Sequence, residues 1–459
     1  MNLTRIILGA NRLGWRRAVA LAALLSGAGP AAGWNNHALC TWPALAALPE
    51  VAQAAAVEVE RLDTFLAREG PALEKLLEQE EQWARKNVPA YPPRPDALAF
   101  RSAGAAPAEL RRRFIAALRI NPESRLSLFV QLLPGQAADG RPTLAESEVT
   151  SLKRSETSKS NTFIALREGD RVPVVDVLAS ASDEPDYGMD IGLWADSGTS
   201  VGPLYGFGKQ PFGMNPTVEF ASQGPLHVSF LHESAIIYKA APFLQRTYAE
   251  YRIHLWQTLA SHALRSGHAY WGWRFAGWAL HYIQDLTQPY HARVLPGVGV
   301  ATMLWINALD IMGLHGAKER AVTFVTNRHL AIENYQWYRV RDAWLRKDFD
   351  DPPMRALRDT SHDAANRYTD ASLRQVITLQ SHAMSDALEA TLVASLPLKY
   401  TSDPAYVFGE TEAGVDLHAL LGQSDAKARQ AMTQQLSQLL QNFGTHTRAF
   451  VRALLAATR

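Results

Sequence analysis

Cysteine is almost missing from this chain: Cys40 is the only one in 459 residues. No internal disulfide can form, so the fold must rest on a packed core, with bound metal as the other available staple. The expected role of Cys40 is that of a small, buried, apolar side chain. An excess of charge of one sign is missing too. Lys and Arg number 46 against 45 Asp and Glu, a formal net charge of +1. That balance supplies no global attraction to nucleic acid or to an anionic membrane. There is no internal repeat, so stacked-repeat architectures are not expected, and no low-complexity tail.

What is present points to a folded, exported protein. Hydrophobic residues make up 47% of the sequence, enough to bury a sizeable core in one large domain or two ordinary ones. Arg12, Arg16 and Arg17 precede the run AVALAALLSGAGPAAG. That run is too short and too rich in small residues to cross a bilayer. It ends in Ala31-Ala32-Gly33, a small-x-small cleavage signal. Residues 1–33 therefore read as a secretory signal peptide, which implies a secreted or periplasmic protein whose mature chain starts at Trp34. The paired arginines match a twin-arginine signal in part. HALC lacks the small residue before cysteine that a lipoprotein signal needs, so no lipid anchor is expected.

Periodicity predicts a mainly α fold. Residues 38–85 are rich in Ala, Leu and Glu at helical spacing. A Pro/Ala-rich connection at 88–107 leads to a helix at 108–120, and the polar stretch 145–162 reads as an exposed loop. The segment TFIALREGDRVPVVDVLA has β character with Gly-Asp as its turn, and 181–226 reads as loop. Helices are predicted over 230–288, 320–347, 363–394 and 424–457. The domain expected over 34–459 thus carries an irregular or small β insertion at about 86–180 and a helical C-terminal extension from about 345.

Polar residues at metal-ligand spacing interrupt this apolar pattern. In GWALHYIQDLTQPYHA, His281 and Asp285 lie four apart, one turn of a helix, on one face. Pro289 stops that helix at about Gln288, and the following turn delivers His291. In NRHLAIENYQW, His329 and Glu333 repeat the four-residue spacing. An acidic stretch, ASDEPDYGMD, offers Asp183, Asp186 and Asp190, and GPLHVSFLHE offers His227 and His232. His37 follows closely on Trp34 in GWNNHALC. Each pair alone is more often a hydrogen-bonded histidine or an ion pair than a metal site; their accumulation is the signal.

In this order, and most specifically in HYIQDLTQPYHA and HLAIEN, the motifs resemble the bacterial zinc-dependent phospholipases C and the related single-strand-specific zinc nucleases. The resemblance covers residues 34–37 and 181–340. It implies a multi-helical fold binding three zinc ions. One would be held by Asp183, His227, His281 and Asp285, with Asp186 an alternative to Asp183 and His232 to His227. A second would be held by His291, His329 and Glu333. The third would be held by His37, by Asp285 acting as a bridge, and by the free amine and carbonyl of Trp34, which requires signal-peptide removal. Imidazole and carboxylate ligands suit zinc and leave positions open for water or substrate. The implied reaction is phosphodiester hydrolysis by a metal-bridged hydroxide, with Asp183 and Asp285 as its carboxylates.

The substrate expected from the resemblance is a phosphoester, in the first instance a phospholipid headgroup reached by peripheral membrane contact. Single-stranded nucleic acid is the alternative, and a non-catalytic, zinc-stabilised helical protein the third reading. No protein partner is evident. Choline-type relatives carry aromatics where this chain has Glu184 and Gly224, so no aromatic cage is evident in the motif. Trp194, Tyr205, Phe207 and Phe212 are candidate replacements in the loop expected to rim the site. Arg274, on the ligand line of its helix, has two candidate roles, phosphate contact or support of a carboxylate from behind. The long interval between His291 and His329 implies an inserted loop, in which His315 reads as a surface histidine.

Overall fold

The computed structural model describes residues 34, 36–153, 161–212, 217, 219–408, 411–412 and 414–458. The expected signal peptide and part of the polar loop expected at 145–162 lie outside the described residues. The fold is mainly α, 61% helix and 4% strand, with two small sheets. Its main helices are α1 (Ala38–Ala46), α2 (Leu62–Asn87), α3 (Pro107–Leu118), α4 (Val174–Asp183), α5 (Glu219–His227), α6 (Ala249–Arg265) and α7 (Ala269–Asp285). They continue with α8 (Pro289–Ala292), α9 (Val300–Ile311), α10 (Gly316–Arg346), α11 (Thr378–Ser395) and α12 (Ala426–Thr458).

Helix α7 is the axis of the molecule. Every residue from Tyr270 to Asp285 is buried, the signature of a helix with neighbours on all sides. It pairs with α6 through a tight turn in which Gly267 adopts φ 88°, a conformation that costs glycine little. On another side it meets α4. A Cβ on Gly277 would lie 2.4 Å from Ala181 Cβ and 2.9 Å from the Leu178 carbonyl oxygen, so only glycine permits this approach.

Two large hydrophobic clusters, with two small ones beside them, fill the interior of the described residues. One gathers α2, α3, α6 and α7; the other gathers α1, α10, α11 and most of α12. Helices α4 and α12 contribute side chains to both, so the C-terminal helix is a structural wall of the core. Arg448 on α12 is fully buried and bonds Asp363 and the Leu357 carbonyl. Cys40 is buried and unpaired, and burial pushes its thiol up.

Several elements depart from the periodicity. The β character expected through residue 179 stops early. Strand β4 (Thr162–Ala165) pairs with β2 (Phe129–Leu132) and β3 (Thr143–Leu144), and β5 (Arg171–Val172) pairs with β1 (Val57–Glu58). From Val174 the chain is helical, because Pro173 opens the helix and Val174, Val177, Leu178 and Ala181 fall at 3.6-residue spacing. The helical segment expected over 230–288 is interrupted at Pro242 and Gly267. The loop expected at 181–226 ends in α5. The loop expected between His291 and His329 contains α9.

Candidate metal centre

Helix α7 delivers His281 and Asp285, both fully buried, from its last turn. His281 and two further histidines, His291 and His37, are oriented in the same way. His281 Nδ1 lies 2.8 Å from the Ser182 carbonyl oxygen, His291 Nδ1 2.8 Å from that of His227, and His37 Nδ1 2.8 Å from Gln284 Oε1. A carbonyl oxygen only accepts, so each Nδ1 carries the hydrogen and each Nε2 presents a lone pair. The Gln284 amide is itself fixed, since its Nε2 donates to Thr41 and Thr447 hydroxyls.

His227 is turned the other way. Its Nε2 lies 3.3 Å from Asp190 Oδ2, off the line of a good hydrogen bond but within charge attraction, and its Nδ1 lies 2.9 Å from Asp285 Oδ2. Asp190 also accepts from buried Arg252 and from Tyr282, both at 2.6 Å. Burial opposes its charge, but Arg252 outweighs burial and holds its pKa down to about 2. An anchored carboxylate behind an imidazole is the usual device for aiming a metal-binding nitrogen.

The remaining pair sits on α10. His329 Nε2 and Glu333 Oε1 are 2.6 Å apart, yet neither has a hydrogen-bond partner. Tyr290 stacks on the His329 ring, and the His291 ring meets it edge-on. Besides His227 Nε2, five buried atoms are thus unpartnered in one region: His37 Nε2, Asp285 Oδ1, His291 Nε2, His329 Nε2 and Glu333 Oε1. Buried polar atoms are rarely left so, because each forfeits its hydration.

These side chains form three groups whose candidate ligand atoms lie within 4.8 Å of one another. They are His37, His281 and Asp285; Asp186, His227 and His281; and His291, His329 and Glu333. Such buried His/Asp/Glu groups can bind a metal ion. His281 belongs to the first two, and Asp285 links them, with Oδ1 3.2 Å from His37 Nε2 and Oδ2 2.9 Å from His227 Nδ1. The donor set, nitrogen and carboxylate oxygen with unused lone pairs, fits a divalent cation such as zinc.

The electrostatics have the same origin. Burial alone would raise Asp285, but His281, His291, His227 and His37 outweigh it and hold it well below the carboxylate range. Burial opposes charge on His227, yet Asp190, Asp285 and Asp186 lift it to about 10. Burial pushes His281 and His329 well down and Glu333 well up. Protonation is thus favoured on His227 and Glu333, where a cation could take the proton's place. His281 Nε2 and His227 Nδ1 are only 3.0 Å apart, and two lone pairs at that distance repel unless a proton or a cation stands between them.

Asp186, not Asp183, joins His227 and His281. Asp183 is 3% exposed and its oxygens are engaged, one by Gln131 Nε2 at 2.7 Å and the other by the Ala38 N–H at 3.3 Å. His232 is half-buried and bonds Thr378, away from the groups. Trp34 is fully buried, and its indole donates to Thr287, between Asp285 and His291. Arg274 does not hold a ligand carboxylate: it is buried and grips Glu184, which belongs to none of the groups, with two nitrogens, and donates to the Ser127 carbonyl. Trp194 and Phe207 are core residues packed near Tyr248, Tyr205 is buried and donates to the Ile120 carbonyl, and Phe212 is partly buried beside Phe230. His315 is half-exposed and paired with Asp310.

Gln284 and Gln131 are the contributors that motif reading did not single out. Gln284 had a signal, lying three residues after His281 in the same run. Gln131 had none, because its strand reaches the centre only through the fold. No protein-family model, no curated protein and no solved structure matches this chain.

Proposed function

We propose that this chain is an exported, zinc-dependent phosphodiester hydrolase similar to the bacterial phospholipases C. The observation that carries the reading is the set of five unpartnered, buried ligand atoms in two of three adjoining groups. A structural zinc needs one closed set of four ligands; three adjoining groups, two of them sharing His281 and linked by Asp285, exceed that need and suit a multi-metal hydrolytic centre. When bound, zinc supplies Lewis acidity, drawing charge from a phosphoryl oxygen and making water acidic enough to act as a nucleophile near neutral pH.

The chain's own residues do the rest. Asp285 places one carboxylate between the first two groups. Ser182, Gln284, Asp190 and the His227 carbonyl hold four imidazoles in fixed orientation, so little reorganisation accompanies reaction. Asp186 and His329 are the least buried members, at 15% and 10% of their side chains, so substrate approaches on their side. Burial raises Asp186 to about 6, and Gln223 donates to it at 2.9 Å. In this proposal it takes the carboxylate role first expected of Asp183, which instead steadies the segment around His37.

The experiment is zinc per chain on the mature protein, its N-terminal residue sequenced, followed by a panel of phospholipids, single-stranded DNA and nucleoside monophosphates. Phospholipid hydrolysis that stops with a chelator and returns with zinc is expected. Cleavage of nucleic acid alone would make the chain a nuclease. Zinc without hydrolysis of anything on the panel would leave it a metal-stabilised binding protein.

A further inference from the structure

Helix α9 is turned inside out. Residues 294–309, VLPGVGVATMLWINAL, contain no charged side chain. Within α9 only Met303 and Asp310 are buried. Trp305, Ile311, Met312 and Leu314 are each at least 60% exposed. Trp305 and Met312 are seven apart, two turns along one face, and Ile311 and Leu314 add exposed apolar surface around the end of the helix. Ile236, half-exposed, lies on the short helix Ala235–Ala240, which packs against α9. The only acid of α9 points inward, where Asp310 meets His315 at 2.7 Å and Lys318 at 3.3 Å.

An exposed apolar patch of this size calls for a cover. A second copy of the chain is a poor fit, because stable protein interfaces engage roughly 20–30 residues a side. A lipid surface fits better. Helices that lie in a bilayer interface present an apolar face with tryptophan at headgroup depth. Here that face has been cleared of negative charge. Lys239 and Arg320 are exposed on the two elements that flank α9, with Glu319 an exposed acid beside Arg320, which suits a weakly anionic headgroup layer. The position matters as well: the chain runs from His291 through α9 directly into α10, which carries His329 and Glu333.

The geometry points to α9 as a docking helix that seats on a phospholipid bilayer and brings membrane lipid to the third metal group. This deepens the phosphodiesterase reading and rests on it for the choice of lipid over protein. The test is cosedimentation of the mature chain, in the cold, with vesicles of phosphatidylcholine and phosphatidylglycerol. Wild type binds, and the double variant Trp305→Ser/Met312→Ser loses at least tenfold in partitioning. Leu398→Ser, which alters a side chain equally exposed on another element, binds as wild type does. Brominated lipid quenches tryptophan emission in wild type more than in Trp305→Phe, a substitution that keeps the surface apolar and folded.

Vesicle binding absent in wild type, or unchanged in the double variant, overturns the inference. So does a wild-type dimer that becomes monomeric in the double variant, which would give the face to a second copy. Hydrolysis of a soluble chromogenic phosphodiester is read separately. Vesicle binding without any such hydrolysis defeats the function proposed above and leaves the docking face standing. Hydrolysis without vesicle binding defeats the docking face alone.

Discussion

Replacing Asp285 with Asn separates the three metal groups from one another. The substitution keeps the shape, removes a buried negative charge and turns one oxygen into a donor that no cation accepts. Asp285 Oδ1 faces His37 at 3.2 Å, and Oδ2 faces His227 at 2.9 Å and His281 at 3.4 Å. Its closest approach to the third group is 4.0 Å, to His291 Nδ1, an atom already committed to the His227 carbonyl. Loss of a mere outer-shell partner costs about 10–100-fold in metal affinity. Loss of a direct ligand costs at least the upper figure, about 2.7 kcal/mol per site, and two sites share this carboxylate. Zinc should therefore fall from three per chain to one in Asp285→Asn, and from three to two in Glu333→Gln. The assay is elemental analysis of dialysed mature protein, with circular dichroism to establish that both variants are folded. Phosphodiester hydrolysis should drop by about a thousandfold or more in Asp285→Asn. An Asp285→Asn protein that keeps three zincs, or a Glu333→Gln protein that loses all of them, would refute the shared-carboxylate scheme.

Other consequences follow from single contacts. Asp190→Asn strips buried Arg252 of its charge partner and His227 of its support, so urea denaturation should show a loss of about 3–5 kcal/mol and zinc titration a weaker second group. Gly277→Ala puts a methyl against Ala181 and the Leu178 carbonyl, at a cost of about 1–3 kcal/mol read as a lower Tm; because the displaced helix carries Ser182, zinc affinity should fall as well. His446, 4% exposed, is lowered to about 4 by burial. The folded state resists its protonation, so its contribution is fully present above the ordinary histidine range near 6.5 and is lost as pH falls towards 4. The loss amounts to about 3 kcal/mol. In His446→Asn the pH dependence of urea stability between those limits should flatten, and an unchanged profile would contradict the burial argument. One extra alanine retained ahead of Trp34 should cost the first group its zinc, measured as metal per chain, if the free amine serves as a ligand.

The ligand-bearing elements were legible because their periods are local. Two four-residue spacings, a proline stop and a histidine just beyond it need only helical geometry, and α7, α8 and α10 place those residues together. Asp183 and Asp186 could not be separated in that way. They lie three apart where α4 gives way to a tighter turn, and the choice between them depends on Gln131, more than fifty residues away, which engages Asp183. The β character read through residue 179 was misleading because Val-rich segments suit both states. Pro173 and the packing against Gly277 decided for helix.

By itself, the sequence determined that the chain is mainly helical, that no disulfide holds it, and that histidines and carboxylates recur at one-turn spacing. Those properties follow from composition and from the repeat of a helix. Tertiary structure decided which carboxylate enters the centre, which nitrogen of each imidazole faces it, and which acid stands behind His227. It also decided that the aromatics of the 188–212 loop serve the core while Trp305 faces outward. Each of these depends on groups far apart in the chain that burial brings within hydrogen-bonding distance, and such meetings leave no period in a sequence.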